Sequence, residues 1–312
     1  MFLIFQILSP IFLTIFLGYF VVARNILSKD QIKVLGLFVI RLAVPCLLVV
    51  SISAQNLASL WQPQYLLSYG LVSLLIFALI LLLYFKVFQT PLSQASVFAL
   101  GASMSNTGFM GGAILHSVLG ANAAIYFAIT FLLENFIVFL PFLICLEIGQ
   151  QQQANFKTIL LQTLKNIMRN PIILALILGV SMSALQLQFP KFIFDVLMPI
   201  GKIAAPLGLF VVGGSLYGIK KINNISRDAS IIISTKLVAM PLLVYLVFLC
   251  LPNTTPEMIF AGVLLASMSM ATLFGVFAQG VGMGERSSTI LLITTIGTIL
   301  STSTVIMLLH PM

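Results

Sequence analysis

The residues best able to hold a small ion or solute lie in one uninterrupted stretch, Gly101 to Ala113, reading GASMSNTGFMGGA. Ser103, Ser105, Asn106 and Thr107 supply hydroxyl and amide groups that coordinate a ligand without carrying charge. Gly108, Gly111 and Gly112 follow directly, and glycine costs a helix interior about 1 kcal/mol relative to alanine. A related stretch, Ala266 to Gly275, reads ASMSMATLFG and adds Ser267, Ser269, Thr272 and Gly275, with Gln279 four residues on. Four ionisable residues stand in apolar surroundings: Arg41, Glu134, Lys202 and Lys236. None of these groups forms a catalytic array. The chain has no HExxH metal motif, no Gly-rich nucleotide loop ending in Lys-Ser/Thr, and no paired nucleophile and base. His116 and His310 are too few and too separate for a metal cluster, and Cys46, Cys145 and Cys250 sit at unrelated spacings. The expectation is a non-enzyme without a cofactor, whose chemistry is non-covalent binding.

The elements that position these residues follow from composition. Of 312 residues, 60% are hydrophobic and only 7% charged, with a mean hydropathy of +1.17. Soluble domains carry about 25% charged residues, so this chain cannot cover a surface that faces water on all sides. Apolar runs fall at about 3–22, 34–54, 65–84, 96–115, 121–146, 167–186, 193–217, 229–250, 258–280 and 287–309. A membrane span needs roughly 20 such residues, and the runs predict an all-α membrane protein of ten transmembrane helices. The opening MFLIFQILSPIF has no basic leader and reads as a first span. Trp61 reads as an interfacial anchor and the 25 phenylalanines as lipid-facing or packing groups.

The net charge of +8 sits singly or in pairs in the gaps between runs, which argues for membrane topology and against nucleic acid. Arg24, Lys29, Lys33, Lys86, Lys157, Lys165, Arg169, Lys220, Lys221, Arg227 and Arg286 fall on one side of the ten-span plan, and Lys191 alone on the other. By the positive-inside rule both termini face the periplasmic or outer side.

An internal repeat runs through the same plan. Pro10 and Gly18 in the first run match Pro171 and Gly179 in the sixth, and Arg41 to Pro45 (RLAVP) matches Lys202 to Pro206 (KIAAP), all at an offset of 161 residues. The two polar stretches align at an offset of 164 with five of ten positions identical. Five spans per half is an odd number, so the second half inserts inverted, a plan common in secondary transporters. The halves are residues 1–148 and 167–312, joined by a short cytoplasmic connector over 149–166. The fourth and ninth spans carry the polar stretches, and unwinding near the bilayer middle is expected there, in surroundings of protein or a watery cavity since lipid cannot satisfy broken backbone bonds; a close helix contact through the small residues is the alternative.

Several segments resemble the auxin efflux carrier family, in its bacterial branch of malonate and malate permease-like proteins. They are PIFLTIFLGYFVVARNILS (Pro10 to Ser28), FVIRLAVPCLL (Phe38 to Leu48), SNTGFMGG (Ser105 to Gly112), Asn170-Pro171, IAAPLGLFVVGGSL (Ile203 to Leu216), Lys236 with Pro241, and Phe277-Ala-Gln279. The resemblance implies ten spans in two five-helix inverted repeats with broken, crossing helices four and nine, a scaffold domain from helices 1, 2, 6 and 7 and a transport domain from helices 3–5 and 8–10. It also implies organic-anion substrates. The family often has proline after the glycines of span four and within span nine; here those places read Gly112-Ala113 and Met268 to Thr272.

The expected function is a secondary transporter of small organic anions in the bacterial inner membrane, working by alternating access. H+ is the expected coupling ion and Na+ the alternative. An indole carboxylate as substrate, a channel and a non-transporting sensor are the competing readings. Partners are a small organic anion, membrane lipids and a second copy docked through scaffold helices. Ser103, Ser105, Asn106, Thr107, Gly108, Ser267, Ser269, Thr272 and Gln279 are the expected substrate or ion ligands, with Asn106 foremost. Gly111, Gly112 and Gly275 are the expected crossover glycines. An ionisable group inside a span costs at least ~2.5 kcal/mol. Arg41 and Lys202 therefore either snorkel as anchors or attract the anion. Lys236 is a structural charge or part of the site, and Glu134 either exchanges a proton during transport or pairs with Lys236.

Overall fold

The computed structural model describes residues 2–54, 61–150, 165, 168–169, 171–217 and 227–309. Most of the connector expected over 149–166 lies outside the described residues, as do Lys157, Lys220, Lys221 and His310. The helices are α1 (Phe2–Ala23), α2 (Lys29–Ser53), α3 (Pro63–Val87), α4 (Leu92–Ser103), α5 (Gly112–Leu119) and α6 (Ala123–Gln150). They continue with α7 (Pro171–Ala184), α8 (Lys191–Lys202), α9 (Ala204–Leu216), α10 (Arg227–Cys250), α11 (Pro256–Ala266), α12 (Leu273–Gly280) and α13 (Gly284–Leu309). The protein is an all-α, multi-pass membrane protein. Among the described residues six helices are long and apolar enough to cross: α2, α3, α6, Lys191–Ser215, α10 and Thr289–Leu309. Large apolar side chains on these surfaces face outward, with Leu300 and Leu308 each 75% exposed, as lipid contact allows and water does not.

Proline shapes the long helices from within. The turns Val39–Ala43, Glu134–Phe139 and Thr235–Ala239 are π-helical, and each ends two residues before a proline: Pro45, Pro141 and Pro241. Proline brings no N–H, so the carbonyl four residues earlier loses its α-helical partner. For Pro241 that carbonyl belongs to Leu237, and Ser301 Oγ on α13 donates to it at 3.1 Å. The widened turns present Arg41, Glu134 and Lys236.

The chain divides into two compact units. The first comprises residues Met1–Gln62, Gly108–Ile129 and Met168–Gly218. A capping box starts α2, in which Ser28 Oγ accepts from the Gln31 N–H and Gln31 Oε1 accepts from the Ser28 N–H. Val22, Ile32 and Val211 form a small core beside it. α1 and α9 approach so closely that a Cβ at Gly18 would overlap the Phe210 carbonyl, and one at Gly213 would overlap the Ile15 carbonyl. Small residues permit such backbone approach, and the gain is dispersion contact along both helices.

The second unit comprises Pro63–Thr107, Thr130–Ile167 and Ile219–Met312. Tyr84 packs on Phe98 with ring centroids 4.2 Å apart and donates to Asp228 Oδ1 at 3.3 Å, while Arg227 covers the Phe88 ring at 3.8 Å. This end of α3 and α10 therefore collects the amphipathic groups that suit a membrane boundary.

The Gly213 contact yields a direct test. Gly213→Ala should lower stability in detergent by about 1–3 kcal/mol, the usual cost of forcing atoms into a packed site. Gly280→Ala, with nothing within 4 Å of its Cβ position, should be silent. Equal thermal unfolding midpoints for the two variants would contradict the packing of α1 on α9.

Candidate functional site

The second unit contains two helices that stop early and pair their loose ends. α4 ends at Ser103, Met104 to Asn106 run without helix, and a π turn begins at Thr107. α11 ends at Ala266, and helix resumes only at Leu273. Between them Ser105 and Met270 form an antiparallel bridge. The Asn106 N–H donates to the Ser269 carbonyl at 2.8 Å and the Ala271 N–H to the Met104 carbonyl at 3.0 Å. Each interrupted helix thus supplies the partner that the other has lost. Gly101 makes room for the crossing, since a Cβ there would lie 2.7 Å from the buried ring of Phe274 on α12.

Against this crossing lies a buried polar cluster built from three helices. Ser105 comes from the break itself, Tyr69 from the π turn Leu66–Leu71 of α3, Glu134 from α6 and Lys236 from α10. All four are at most 2% exposed. Lys236 Nζ donates to Ser105 Oγ at 2.5 Å and contacts Met240 Sδ at 2.9 Å. Tyr69 O–H donates to Glu134 Oε1 at 2.7 Å, and the Ser105 N–H donates to the same oxygen at 2.9 Å. Tyr69 has one proton to give, so the 3.0 Å contact between Tyr69 Oη and Ser105 Oγ has the serine as donor. The hydroxyls therefore run in one direction, from ammonium through Ser105 and Tyr69 to carboxylate. Glu134 and Lys236 form no direct ion pair; the opposite charges meet through Ser105.

Among the described residues four side-chain oxygens are buried and unpaired: Ser68 Oγ, Glu134 Oε2, Thr107 Oγ1 and Thr272 Oγ1. Thr107 lies near the Glu134 carboxylate without closing a hydrogen bond to it. Buried polar atoms without partners are rare, and each needs a physical reason.

The other sequence candidates divide cleanly. Asn106 and Ser269 are buried at the crossing, where their backbones pair. Ser103 and Ser267 are buried too, but their hydroxyls donate back to Ala99 and Leu264 of their own helices. Gln279 lies on α12, with its side chain outside the described residues. Gly111, Gly112 and Gly275 do not sit at the breaks, which fall earlier, at 104–106 and 267–272; they belong to helical turns beyond them. The reason for Gly112 is packing, as its Cβ would lie 2.8 Å from the Phe127 ring. Gly108 and Lys202 line a cavity in the first unit; Lys202 is exposed, as is Arg41 on α2, which does not line it. Tyr69 was missed by sequence reasoning. Its signal was a phenol beside Ser68 and Gly70 inside an apolar run, a polar tip that needs a buried partner.

A family described as membrane transport protein matches residues 3–306 of the chain. The chain belongs to that family. As a member it is a transport protein and not an enzyme, and among the described residues no group of three or more His, Cys, Asp or Glu is placed to hold a metal ion. It is 28% identical to a putative malonate transporter of Rhizobium meliloti (strain 1021) over 304 residues, covering 96% of this chain and 93% of that one. It is also 26% identical to a lysosomal cholesterol signaling protein of Mus musculus over 256 residues, 77% of this chain but only 29% of that protein.

The cluster predicts strong coupling between its charges. Lys236→Met strands a carboxylate and Glu134→Gln strands an ammonium, so each single change should destabilise more than its share. In a double-mutant cycle the pair should show a coupling of about 0.5–3 kcal/mol by denaturant unfolding in detergent. Strictly additive effects would mean that the two groups do not sense each other. Tyr69→Phe should separately cost about 1.5–3 kcal/mol, the usual value for a hydrogen bond to a charged group.

Proposed function

We propose that this transport protein is a secondary active carrier of small organic anions, malonate, malate or a similar carboxylate. It moves them across a bacterial cytoplasmic membrane by alternating access coupled to protons. The observation that carries this reading is the crossing of two interrupted helices beside a buried lysine, with Glu134 Oε2, Thr107 Oγ1 and Thr272 Oγ1 left unpaired. Threonine hydroxyls and the Asn106 side chain offer donors to a carboxylate, Lys236 supplies the compensating charge, and Glu134 is the group that gains and loses the coupling proton. The full-length similarity to a putative malonate transporter supports the substrate class.

The architecture that belongs to this reading has ten spans in two inverted five-helix repeats, both termini outside. Helices 1, 2, 6 and 7 form its scaffold and the others its moving part, with a second copy docking through the scaffold. Among the described residues three shorter apolar helices, Leu13–Ala23, Pro171–Ala184 and Pro256–Ala266, stand beside the six long ones; in this reading the fourth and ninth spans are the interrupted ones.

Purified protein in liposomes should take up labelled malate saturably, in step with an imposed proton gradient, and unlabelled malonate should compete. Glu134→Gln should lose the response to the gradient, and Asn106→Ala should lower uptake by tenfold or more while folding normally, about 1.4 kcal/mol or more of lost binding. Uptake that follows sodium and ignores protons overturns the coupling. Normal uptake by Asn106→Ala removes that residue from the site.

A further inference from the structure

A groove of about 780 Å³ runs along the second unit, walled by α10 and α13 with Val263 of α11. Its inner end is fixed where Gly297 comes against Leu237 and Ser301 Oγ donates to the Leu237 carbonyl at 3.1 Å. The rest of the lining on both helices lies beyond that point, as far as Tyr245 and Leu309. Leu237 is ten residues from the start of α10 at Arg227, about 15 Å along the axis. That is the middle of a hydrocarbon layer about 30 Å thick. From there the lining extends eight residues along α10 and twelve along α13, about 12 and 18 Å. The groove therefore spans one leaflet. It opens outward, for Val238 is 61% and Leu242 52% exposed, and Leu300 and Leu308 stand out further still. Among the described residues no charged side chain lines it. Thr304 Oγ1 donates to the Leu300 carbonyl at 2.8 Å, whereas the half-buried Tyr245 phenol makes no hydrogen bond among the described residues.

We propose that this groove seats one acyl chain of a phospholipid from that leaflet, with the Tyr245 phenol donating to an ester carbonyl at its mouth. Depth chooses the occupant. At the level of Leu237 the surroundings contain only lipid tails, and an unfilled groove forfeits dispersion contact along its whole wall. The volume falls in the range of roughly 300–1,000 Å³ that holds small organic molecules, so it takes a long chain. No Lys, Arg or His lines it to hold the carboxylate of a free fatty acid, whereas an ester-linked chain presents neutral carbonyls. Tyr245 stands at the height of those carbonyls. It lies five residues, about 7.5 Å, from the end of a 24-residue helix about 36 Å long, which reaches past the hydrocarbon. Phenols favour that interfacial level. The groove also lies behind the buried cluster, because Lys236 is fully buried while Leu237 and Val238 of the same π turn line the groove. A seated chain therefore braces from outside the turn that presents Lys236.

Photolabelling of the full chain in detergent tests the site without any transport assay. Phosphatidylglycerol carrying a diazirine along one acyl chain is titrated in, and the labelled residues are mapped by peptide mass spectrometry. Labelling over 237–245 and 297–309 should saturate. At low probe it should exceed labelling of the outward stripe Leu71, Leu75, Leu79 and Leu82 of α3 by about tenfold, the ratio that a binding advantage of about 1.4 kcal/mol gives. The α3 stripe should only rise in proportion to the probe. Thr304→Trp places an indole in the groove and should remove the excess, whereas Met307→Trp, exposed on α13 outside the lining, should keep it. Tyr245→Phe should raise the half-saturating probe concentration about two- to tenfold, the worth of one neutral hydrogen bond. Excess unlabelled phosphatidylglycerol should suppress the groove labelling. Groove labelling in the wild type that merely parallels α3 overturns the proposal, whether or not the variants fold. So does an excess that survives Thr304→Trp, or one suppressed by a free fatty acid or an isoprenoid quinone but not by phospholipid.

Discussion

Inside hydrocarbon a backbone N–H or C=O has no water to turn to, and each one left unpaired costs several kcal/mol. A helix that stops within the membrane is therefore sustainable only if something else takes its bonds. Here the broken ends solve the problem for each other: Asn106 pairs with Ser269 and Ala271 with Met104 across a two-residue bridge. Everything near the crossing depends on that exchange. Gly101 must be glycine for Phe274 to lie against α4, and Ser105 must leave the helix for its N–H to reach Glu134.

The buried charges obey the same economy of partners. Lys236 and Glu134 are each enclosed by protein, and two hydroxyls relay between them instead of a direct ion pair. The π turns that present them trace to prolines 141 and 241, whose missing N–H groups loosen the helix one turn upstream. Local covalent chemistry thus decides where the helix widens, and the widening decides which side chains turn inward.

Much of this was legible in the sequence because the membrane leaves few choices. A run of Gly and Ser such as GASMSNTGFMGGA cannot be a comfortable lipid-facing helix, and the interruption falls inside it. The position within the run was less legible. The glycines suggested a break at 111–112, but the chain leaves the helix at 104–106, where its backbone meets Ser269 and Ala271; Gly112 is small to admit Phe127. Glu134 and Lys236 stood out as charges in apolar runs, yet their linkage through Ser105 and Tyr69 brings together residues up to 167 positions apart. No periodicity encodes such a meeting.

The measurement that bears most directly on the whole account is counterflow. Liposomes containing the protein and loaded with unlabelled malonate are diluted into a trace of labelled malonate, with no ion gradient imposed. An alternating-access carrier exchanges the inner anion for the outer one, so label should accumulate transiently above its outside concentration and then decline. Simple equilibration without an overshoot, as through a channel, or no entry of label into liposomes containing folded protein, would contradict it.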